Sequence, residues 1–350
     1  MDEGCRAMAP AGMCLDGRVM ASSGNGVILQ KLFSRTNLSS RKVSVAITDW
    51  PAGEFSDLLS AMNQTVIRQL RTLLALGRVS RLPTVWSNCL AGWWLGGHGN
   101  FAKLPLMFLG ASALYTGGMF LNDAFDADFD RQRRAERPIP SGAISPSAVW
   151  RWGLAWLGLG ALCLTAVGKT TGVLTVVLLM CIIIYDATHK VVTASPWLMG
   201  LCRFWVYGIA GSTGAAGVNG GPIWCGVALA LYVAGLGYLA QHESSRGRMP
   251  YWPLALVAAP IVFGMLMNSG EYRVRAIWLS LVLALWIALC VRTIFQAGTG
   301  NVAHIVSGLL AGIVFVDWLA VAPLCPNWLS FVFLILFGTT LWLQRFVPAT

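Results

Sequence analysis

The chain has 350 residues, of which 56% are hydrophobic and 11% charged, and its formal net charge is +10. So few charged side chains cannot cover a soluble protein of this length, so the composition excludes a soluble globular protein and predicts a polytopic membrane protein. The positive charge does not indicate nucleic-acid binding, because the arginines lie at the ends of apolar segments and no basic surface interleaved with aromatic side chains separates them.

Residues 1–61 differ from the rest of the chain, because they are polar, rich in Ser, Gly, Arg and Asp, and without helical or strand periodicity. No short apolar run typical of a signal peptide stands near the start, and Asp2, Glu3 and Asp16 argue against a transit peptide, which is poor in acidic residues. Two interpretations stay open: a disordered extension, or a start codon assigned too far upstream, with Met62 as the true beginning.

Residues 62–81 read as a basic amphipathic lead-in to the first apolar segment. Its arginines are Arg68, Arg71, Arg78 and Arg81. A helix of this kind can lie in the headgroup plane of a bilayer. We expect it to set the topology of the first membrane helix.

Apolar segments follow one another from Leu82 to the end of the sequence, separated by short breaks. A bilayer core needs about 20 apolar residues per helix, and these runs are continuously apolar, whereas the strands of a membrane β-barrel alternate. The predicted fold class is therefore all-α: residues 82–350 form one polytopic membrane helix bundle of about nine or ten transmembrane helices. The predicted segments are 82–99, 104–125, 147–167, 171–188, 197–218, 222–241, 251–268, 274–294, 303–322 and 327–346.

The basic residues between these segments predict the topology of an integral, multi-pass membrane protein. Basic residues are enriched in cytoplasmic loops. With a cytoplasmic N-terminus and ten helices, both termini and the aspartate-rich end of the second segment face the cytoplasm. The basic residues then on that side are Arg131, Arg133, Arg134, Arg137, Lys190, Arg246, Arg248, Arg292 and Arg345.

The end of the second apolar segment carries the acidic stretch "NDAFDADFDRQRRAERPIPSG", residues 122–142. At four-residue spacing, Asn122, Asp126 and Asp130 share one stripe of a helix, whereas Asp128 projects to another face. Like charges this close repel unless a cation binds among them. Mg²⁺ prefers carboxylate and other oxygen ligands, with substrate phosphate and water completing its shell. The stripe therefore predicts a magnesium site that is open toward a ligand.

The arginines that follow this stripe favour a phosphate ligand. Arg131, Arg133, Arg134 and Arg137 lie within 12 positions of Asp126, and arginine binds phosphate with two parallel hydrogen bonds. A metal with arginines suits a diphosphate, and the apolar bundle behind it suits a long hydrocarbon tail. The alternative, that these charges only solvate a loop, accounts for the arginines but leaves the regular spacing of the stripe unexplained.

"NDAFDADFD" followed by "RPIPSG" resembles the first signature of the UbiA superfamily of intramembrane prenyltransferases, and "RVSRLPTVWSNCLAG" resembles its first helix, including Asn88. The resemblance spans roughly residues 70–320. It implies a helical bundle with a lateral opening for lipid. It also implies Mg²⁺-assisted ionisation of a prenyl diphosphate and attack by an acceptor, which is often an aromatic ring.

The segment "YDATHKVVTASPWLMGLCRFWVY", residues 185–207, is similar to the family's tyrosine-and-lysine element. The resemblance implies that Tyr185, Asp186, His189 and Lys190 face the site, with Arg203 one helix later.

These matches imply roles for the site residues. Asn122, Asp126 and Asp130 would bind Mg²⁺, while Arg137, Lys190 and Arg203 would neutralise the leaving diphosphate. Tyr185 would steady the allylic cation, or Asp186 would act as a base.

The family's second aspartate motif, spaced DxxxD, is altered in this chain, where the matching place reads "YLAQHESSRGRMP". Three interpretations stay open. Glu243 rebuilds a weaker metal site with His242 or Asp186; Arg246 and Arg248 supply the second metal's charge and contact the diphosphate; or the chain has kept lipid binding without chemistry. The departure resembles a divergent UbiA-like branch found in "ebo" gene clusters.

Two other classes of membrane protein are the alternatives. A non-catalytic carrier of a prenoid or lipid conjugate would fit the bundle, but the sequence shows no inverted half-repeat and no matched pair of broken segments. An intramembrane phosphatidyltransferase would need a DGxxAR run, which is missing. We therefore expect a prenyltransferase that takes a prenyl diphosphate and an aromatic or lipidic acceptor, works among membrane lipids, and binds no nucleic acid.

Overall fold

The computed structural model describes Gln64 and residues 67–241, 251–297 and 302–346. Within these ranges all regular secondary structure is helical, which confirms the predicted all-α class. The predicted extension at residues 1–61 lies outside the described residues, as do His242, Glu243 and Arg246 of the altered motif.

The described part of the chain contains a helical lead-in at residues 67–76, a 3₁₀ turn at Val79–Arg81, and the following α-helices. They are α1 (Leu82–Leu95), α2 (Leu104–Phe125), α3 (Ala127–Arg133), α4 (Pro146–Val167), α5 (Lys169–Thr188), α6 (Ser195–Ser212), α7 (Gly220–Gln241), α8 (Trp252–Met267), α9 (Glu271–Ala297), α10 (Val302–Val321) and α11 (Asn327–Gln344).

The long helices correspond one by one to the predicted apolar segments, and only the short α3 was not predicted as a separate helix. Among the described residues, 7 helices are long and apolar enough to cross a membrane. They are α2, α4, α5, α7, α9, α10 and α11. With 14 and 16 residues, α1 and α8 are shorter than the roughly 20 residues of a full span.

Small residues let the helices approach closely, as is usual in membrane bundles. Helices α2 and α4 meet through Gly110 and Gly160, where an added Cβ would lie 2.7 Å from a leucine side chain of the facing helix. Gly96 at the end of α1 faces the backbone of Gly211 in α6, and an added Cβ would collide with the Gly211 carbonyl oxygen. These contacts fix α1 against α6, and α2 against α4.

The centre of the bundle lies between α1, α6, α7 and α10. Its largest fully buried side chains include Trp93, Tyr207 and Tyr232, and the Tyr232 hydroxyl donates to the Leu309 carbonyl oxygen at 2.7 Å. Helix α11 packs on this core through Phe333, which is fully buried. The candidate site lies beside this packed interior, at the C-terminal ends of α2 and α5 and the N-terminal ends of α1 and α6.

Candidate functional site

The predicted polar stripe is present at the end of α2. Asp126 N donates to the Asn122 carbonyl at 3.0 Å, and Asp130 N donates to the Asp126 carbonyl at 2.9 Å. The helical hydrogen bonding thus continues from α2 into α3, which keeps the three side chains on one face. Asn122, Asp126 and Asp130 are all buried, whereas the Asp128 side chain is 90% exposed. The distinction between these aspartates, made from spacing alone, agrees with their burial.

Arg137 joins this stripe from the loop after α3. Its Nη1 lies 2.7 Å from Asp130 Oδ2, 3.5 Å from Asp123 Oδ1 and 4.0 Å from Asp126 Oδ2. Arg131 instead pairs with the exposed Asp128 at 2.5 Å. Of the arginines that follow the motif, Arg137 is therefore the one that ion-pairs with its buried carboxylates in the described part of the chain.

The end of α5 supplies two more basic groups. Lys190 Nζ lies 3.0 Å from Asp126 Oδ2, and His189 Nε2 lies 3.2 Å from Asp126 Oδ1. Burial raises the pKa of the Asp126 carboxyl, but the hydrogen bonds and charges of His189 and Lys190 outweigh burial and lower this pKa below its ordinary value. Asp126 therefore stays ionised at neutral pH and holds the end of α5 against α2.

Asp186 and Tyr185 lie beside the stripe, as the resemblance implied. Asn122 Nδ2 donates to Asp186 Oδ1 at 3.2 Å, and Asp186 is buried. The Tyr185 ring stacks on the His189 ring with 5.2 Å between ring centroids. These contacts bring Tyr185, Asp186 and Lys190 to one place with the α2 stripe.

Two carboxylate oxygens in this cluster have no protein partner. Asp130 Oδ1 and Asp186 Oδ2 are buried without a hydrogen-bond donor among the described residues. Burying a carboxylate oxygen without a hydrogen-bond partner destabilises the folded protein, and such an atom typically binds an ion, water or ligand. The donor set is all oxygen, which fits Mg²⁺. No group of three or more His, Cys, Asp or Glu side chains in the described ranges is arranged as a metal site, and the carboxylates contact basic side chains.

Arg78 is a site residue that sequence reasoning assigned only to topology. Its Nη2 lies 3.4 Å from Asp123 Oδ1, and its backbone is left-handed, with φ 44° and ψ 47°. Burial lowers the pKa of the Arg78 guanidinium, but the charge of Asp123, together with those of Tyr115, Tyr185 and Asp126, outweighs burial and raises this pKa above its ordinary value. Only the folding of the lead-in against α2 reveals this pair, because the two residues are 45 positions apart.

Behind the carboxylates lies a cavity, open on one side, between α1, α2, α5, α6, α7 and α10. Its polar end includes Asn122 and Asp186, and its remaining wall is mostly apolar, with Leu178, Val233 and Ile313. Such a cavity, apolar with a few polar groups at one end, is typical of a site for an amphiphilic small molecule.

Two further arginines line this cavity. Arg81 has a buried Nε without a partner, and burial lowers the pKa of its guanidinium to about 10. Arg203 Nη1 donates to Asn88 Oδ1 at 2.6 Å, and its Nη2 donates to Thr84 Oγ1 at 3.2 Å. Arg203 therefore reaches the cavity wall but bonds to α1 and not to the stripe.

Comparison with known sequences assigns the family. Residues 82–323 match the UbiA prenyltransferase family, so the chain belongs to this family of intramembrane proteins. The match covers α1 to α10 and ends before α11.

Two curated relatives match shorter stretches. Digeranylgeranylglyceryl phosphate synthase of Ignicoccus hospitalis is 38% identical over 104 residues, which is 30% of this chain and 34% of that protein. 4-Hydroxybenzoate octaprenyltransferase of Polaromonas naphthalenivorans is 37% identical over 102 residues, which is 27% of this chain and 32% of that protein. The matches thus span about a third of the curated relatives' length. The second name describes prenyl transfer, whereas the first describes the synthesis of a digeranylgeranylglyceryl phosphate.

The fold is similar to that of a solved structure described as digeranylgeranylglyceryl phosphate synthase, with a TM-score of 0.54 and 18% identity. The match covers 73% of this chain and 99% of that chain. At this identity the likeness concerns the fold, and it agrees with the helical bundle described above.

Proposed function

We propose that this protein is a Mg²⁺-dependent intramembrane prenyltransferase, which moves a prenyl group from a prenyl diphosphate to an aromatic or lipidic acceptor and releases diphosphate. The observation that carries the proposal is the buried stripe of Asn122, Asp126 and Asp130, with an unpaired carboxylate oxygen, at the polar end of an apolar cavity. The stripe suits a metal and a diphosphate, and the cavity suits a hydrocarbon tail.

Asn122, Asp126 and Asp130 would hold Mg²⁺, with Glu243 as a further ligand from outside the described residues. The ion supplies charge neutralisation at the departing diphosphate. Arg137 and Lys190 already lie at the same carboxylates. These two cations bind the diphosphate oxygens and stabilise the negative charge that grows on them as the carbon–oxygen bond breaks. Arg203 and Arg246 are proposed as further diphosphate contacts.

The residues on the cavity side of the site contact the allylic carbon of the prenyl donor and the acceptor. Tyr185, stacked on His189, presents a ring face that stabilises positive charge on the allylic carbon. Asp186 is proposed as the base that takes a proton from the acceptor, which its unpaired Oδ2 supports. The apolar walls exclude water, which would otherwise capture the carbocation.

We also propose that this mouth and both chain termini face the cytoplasm. The basic residues at the same helix ends, including Arg131, Arg133, Arg134, Arg137 and Lys190, support this orientation. Labelling of single cysteines from either side of sealed vesicles tests it.

The test of the activity uses the full chain in liposomes, radiolabelled geranyl diphosphate, and a lysate that supplies natural acceptors. We expect Mg²⁺-dependent release of diphosphate and a labelled product. Asp126→Ala should abolish both, whereas its matched control Asp128→Ala, at an exposed position of the same motif, should retain activity. Binding of the label without diphosphate release, across acceptors, would replace the proposal with a non-catalytic prenoid carrier.

A further inference from the structure

A fully buried carboxylate outside the aspartate motif, Asp317, lies in α10. Its Oδ2 accepts hydrogen bonds from Ser87 Oγ at 2.5 Å and Asn88 Nδ2 at 2.7 Å, both in α1. Its Oδ1 accepts a hydrogen bond from the Tyr207 hydroxyl of α6 at 2.5 Å. A buried carboxylate is costly unless donors and a nearby cation compensate it. Three donors from two helices supply part of this compensation.

The cation nearest to compensating Asp317 is Arg203, and the side-chain amide of Asn88 lies between the two. Asn88 donates to Asp317 with its Nδ2, and its Oδ1 accepts from Arg203 Nη1 at 2.6 Å. Asp317, Asn88 and Arg203 thus form one hydrogen-bonded chain across α10, α1 and α6. At one end Asp317 only accepts hydrogen bonds, as an ionised carboxylate does, and at the other end stands the guanidinium of Arg203.

Asp317 determines which way the side-chain amide of Asn88 is oriented, that is, which neighbour faces its Nδ2 and which faces its Oδ1. An ionised carboxylate only accepts hydrogen bonds, and a guanidinium only donates them. With Asp317 on one side and Arg203 on the other, just one of the two amide orientations satisfies both neighbours. If residue 317 could also donate, the amide could turn and place its NH₂ group against the guanidinium.

In this hydrogen-bonded series, Arg203 is the residue that borders the cavity. It lines the cavity wall together with Tyr115, and its guanidinium carbon lies 5.7 Å from the centroid of the Tyr115 ring. Its known acceptors, Asn88 and Thr84, are both in α1. The guanidinium is therefore held in place from one side while it borders the space in which a substrate would lie.

We infer that Asp317 is a positioning residue: through Asn88 it holds the Arg203 guanidinium at the cavity wall, where Arg203 binds an anionic oxygen group of a substrate. This inference rests on the proposed function for the identity of the two substrates. The anionic group is a phosphate of the prenyl donor or a carboxylate or phosphate of the acceptor.

The experiment measures binding to the full chain in nanodiscs with two probes, geranyl diphosphate and 4-hydroxybenzoate. Asp317→Asn should weaken one of them about 10-fold or more, the range expected when a hydrogen bond to a charged group is lost. Loss of geranyl diphosphate binding assigns Arg203 to the donor, and loss of 4-hydroxybenzoate binding assigns it to the acceptor.

An exchange variant separates positioning from a general structural role. Asn88→Asp combined with Asp317→Asn keeps the total charge and again presents an acceptor to Arg203, so it should restore affinity to within about 3-fold of wild type. Tyr207→Phe is the control, because it removes a donor from the same carboxylate but leaves the Asn88 link intact. It should change affinity less than about 2-fold.

Coupling to Arg203 is tested in the Arg203→Gln background, where Asp317→Asn should have no further effect. Additive losses there would overturn the inference. So would wild-type affinity for both probes in Asp317→Asn, or equal losses in Asp317→Asn, Tyr207→Phe and the exchange variant. Failure of the proposed function has a different signature, in which the wild-type protein binds the probes but forms no prenylated product.

Discussion

Arg137 Nη1 lies 2.7 Å from Asp130 Oδ2, so the loop after α3 folds back onto the last carboxylate of the α2 stripe. The Arg137 side chain is 18% exposed and that of Asp130 is 3% exposed. The loop is thus anchored at the site by a buried ion pair, in the place where the proposed diphosphate binds.

Arg137→Ala should reduce kcat/KM about 100-fold or more, because removing a group that stabilises developing charge in a desolvated site typically costs this much. Arg131→Ala is the matched control, since Arg131 pairs with Asp128 in a pair whose side chains are 55% and 90% exposed. Steady-state turnover of radiolabelled geranyl diphosphate measures both. Equal activity in the two variants would remove Arg137 from the mechanism.

The Asp126 carboxyl should make the stability of the protein depend on pH in the acidic range. Its pKa is lower in the folded protein than in the unfolded chain, where a value of about 3.9 applies. Its contribution to the free energy of unfolding is therefore present above about pH 4 and is lost as the pH falls through the folded pKa.

Thermal unfolding of wild type and Asp126→Asn between pH 7 and pH 3 checks this expectation. Wild type should be the more stable protein at pH 7, and the difference should narrow below about pH 4. A difference that stays constant over the whole range would show that protonation of Asp126 does not control the contact between α2 and the end of α5.

Metal and diphosphate should stabilise the folded protein together. A ligand at 100 times its Kd adds about 2.7 kcal/mol to the free energy of unfolding. Geranyl diphosphate with Mg²⁺ should therefore raise Tm, and EDTA should remove most of the increase. In Asp130→Asn, which alters the carboxylate with the unpaired oxygen, the Mg²⁺-dependent part of the increase should disappear. Its persistence there would place the metal elsewhere.

Gly96→Ala should destabilise the contact between α1 and α6. The φ of Gly96 is −73°, which any residue adopts, so the cost is steric and comes from collision with the Gly211 carbonyl oxygen. Overpacking of this kind costs about 1–3 kcal/mol. Gly158→Ala in α4 is the control, because an added Cβ there meets nothing within 4 Å. Thermal unfolding in detergent compares them, and equal Tm values would contradict the close approach.

Several features could be predicted from the sequence because they are local. The apolar segments gave the helices, since a run of about 20 apolar residues needs no knowledge of its neighbours. The four-residue spacing placed Asn122, Asp126 and Asp130 on one buried face and Asp128 on another, since the helical period alone decides which residues share a side. Three of the ten predicted spans, α1, α6 and α8, are not among the helices long and apolar enough to cross a membrane in the described ranges: α1 and α8 are short, and α6 carries Arg203 within an apolar run.

Only the tertiary structure decided which charges meet. It selected Arg137 from a run of arginines, placed Arg78 on Asp123, and turned Arg203 toward α1. Asp317 is visible in the sequence as a single acidic residue inside an apolar segment. Its partners are not visible there, because its donors Ser87 and Asn88 lie 230 and 229 positions earlier in the chain. Helical period and hydropathy describe neighbours within a few turns, whereas these contacts depend on how distant helices pack against one another. The sequence thus determined the helices and the acidic stripe, and the packing of the bundle decided the partners of the charged groups.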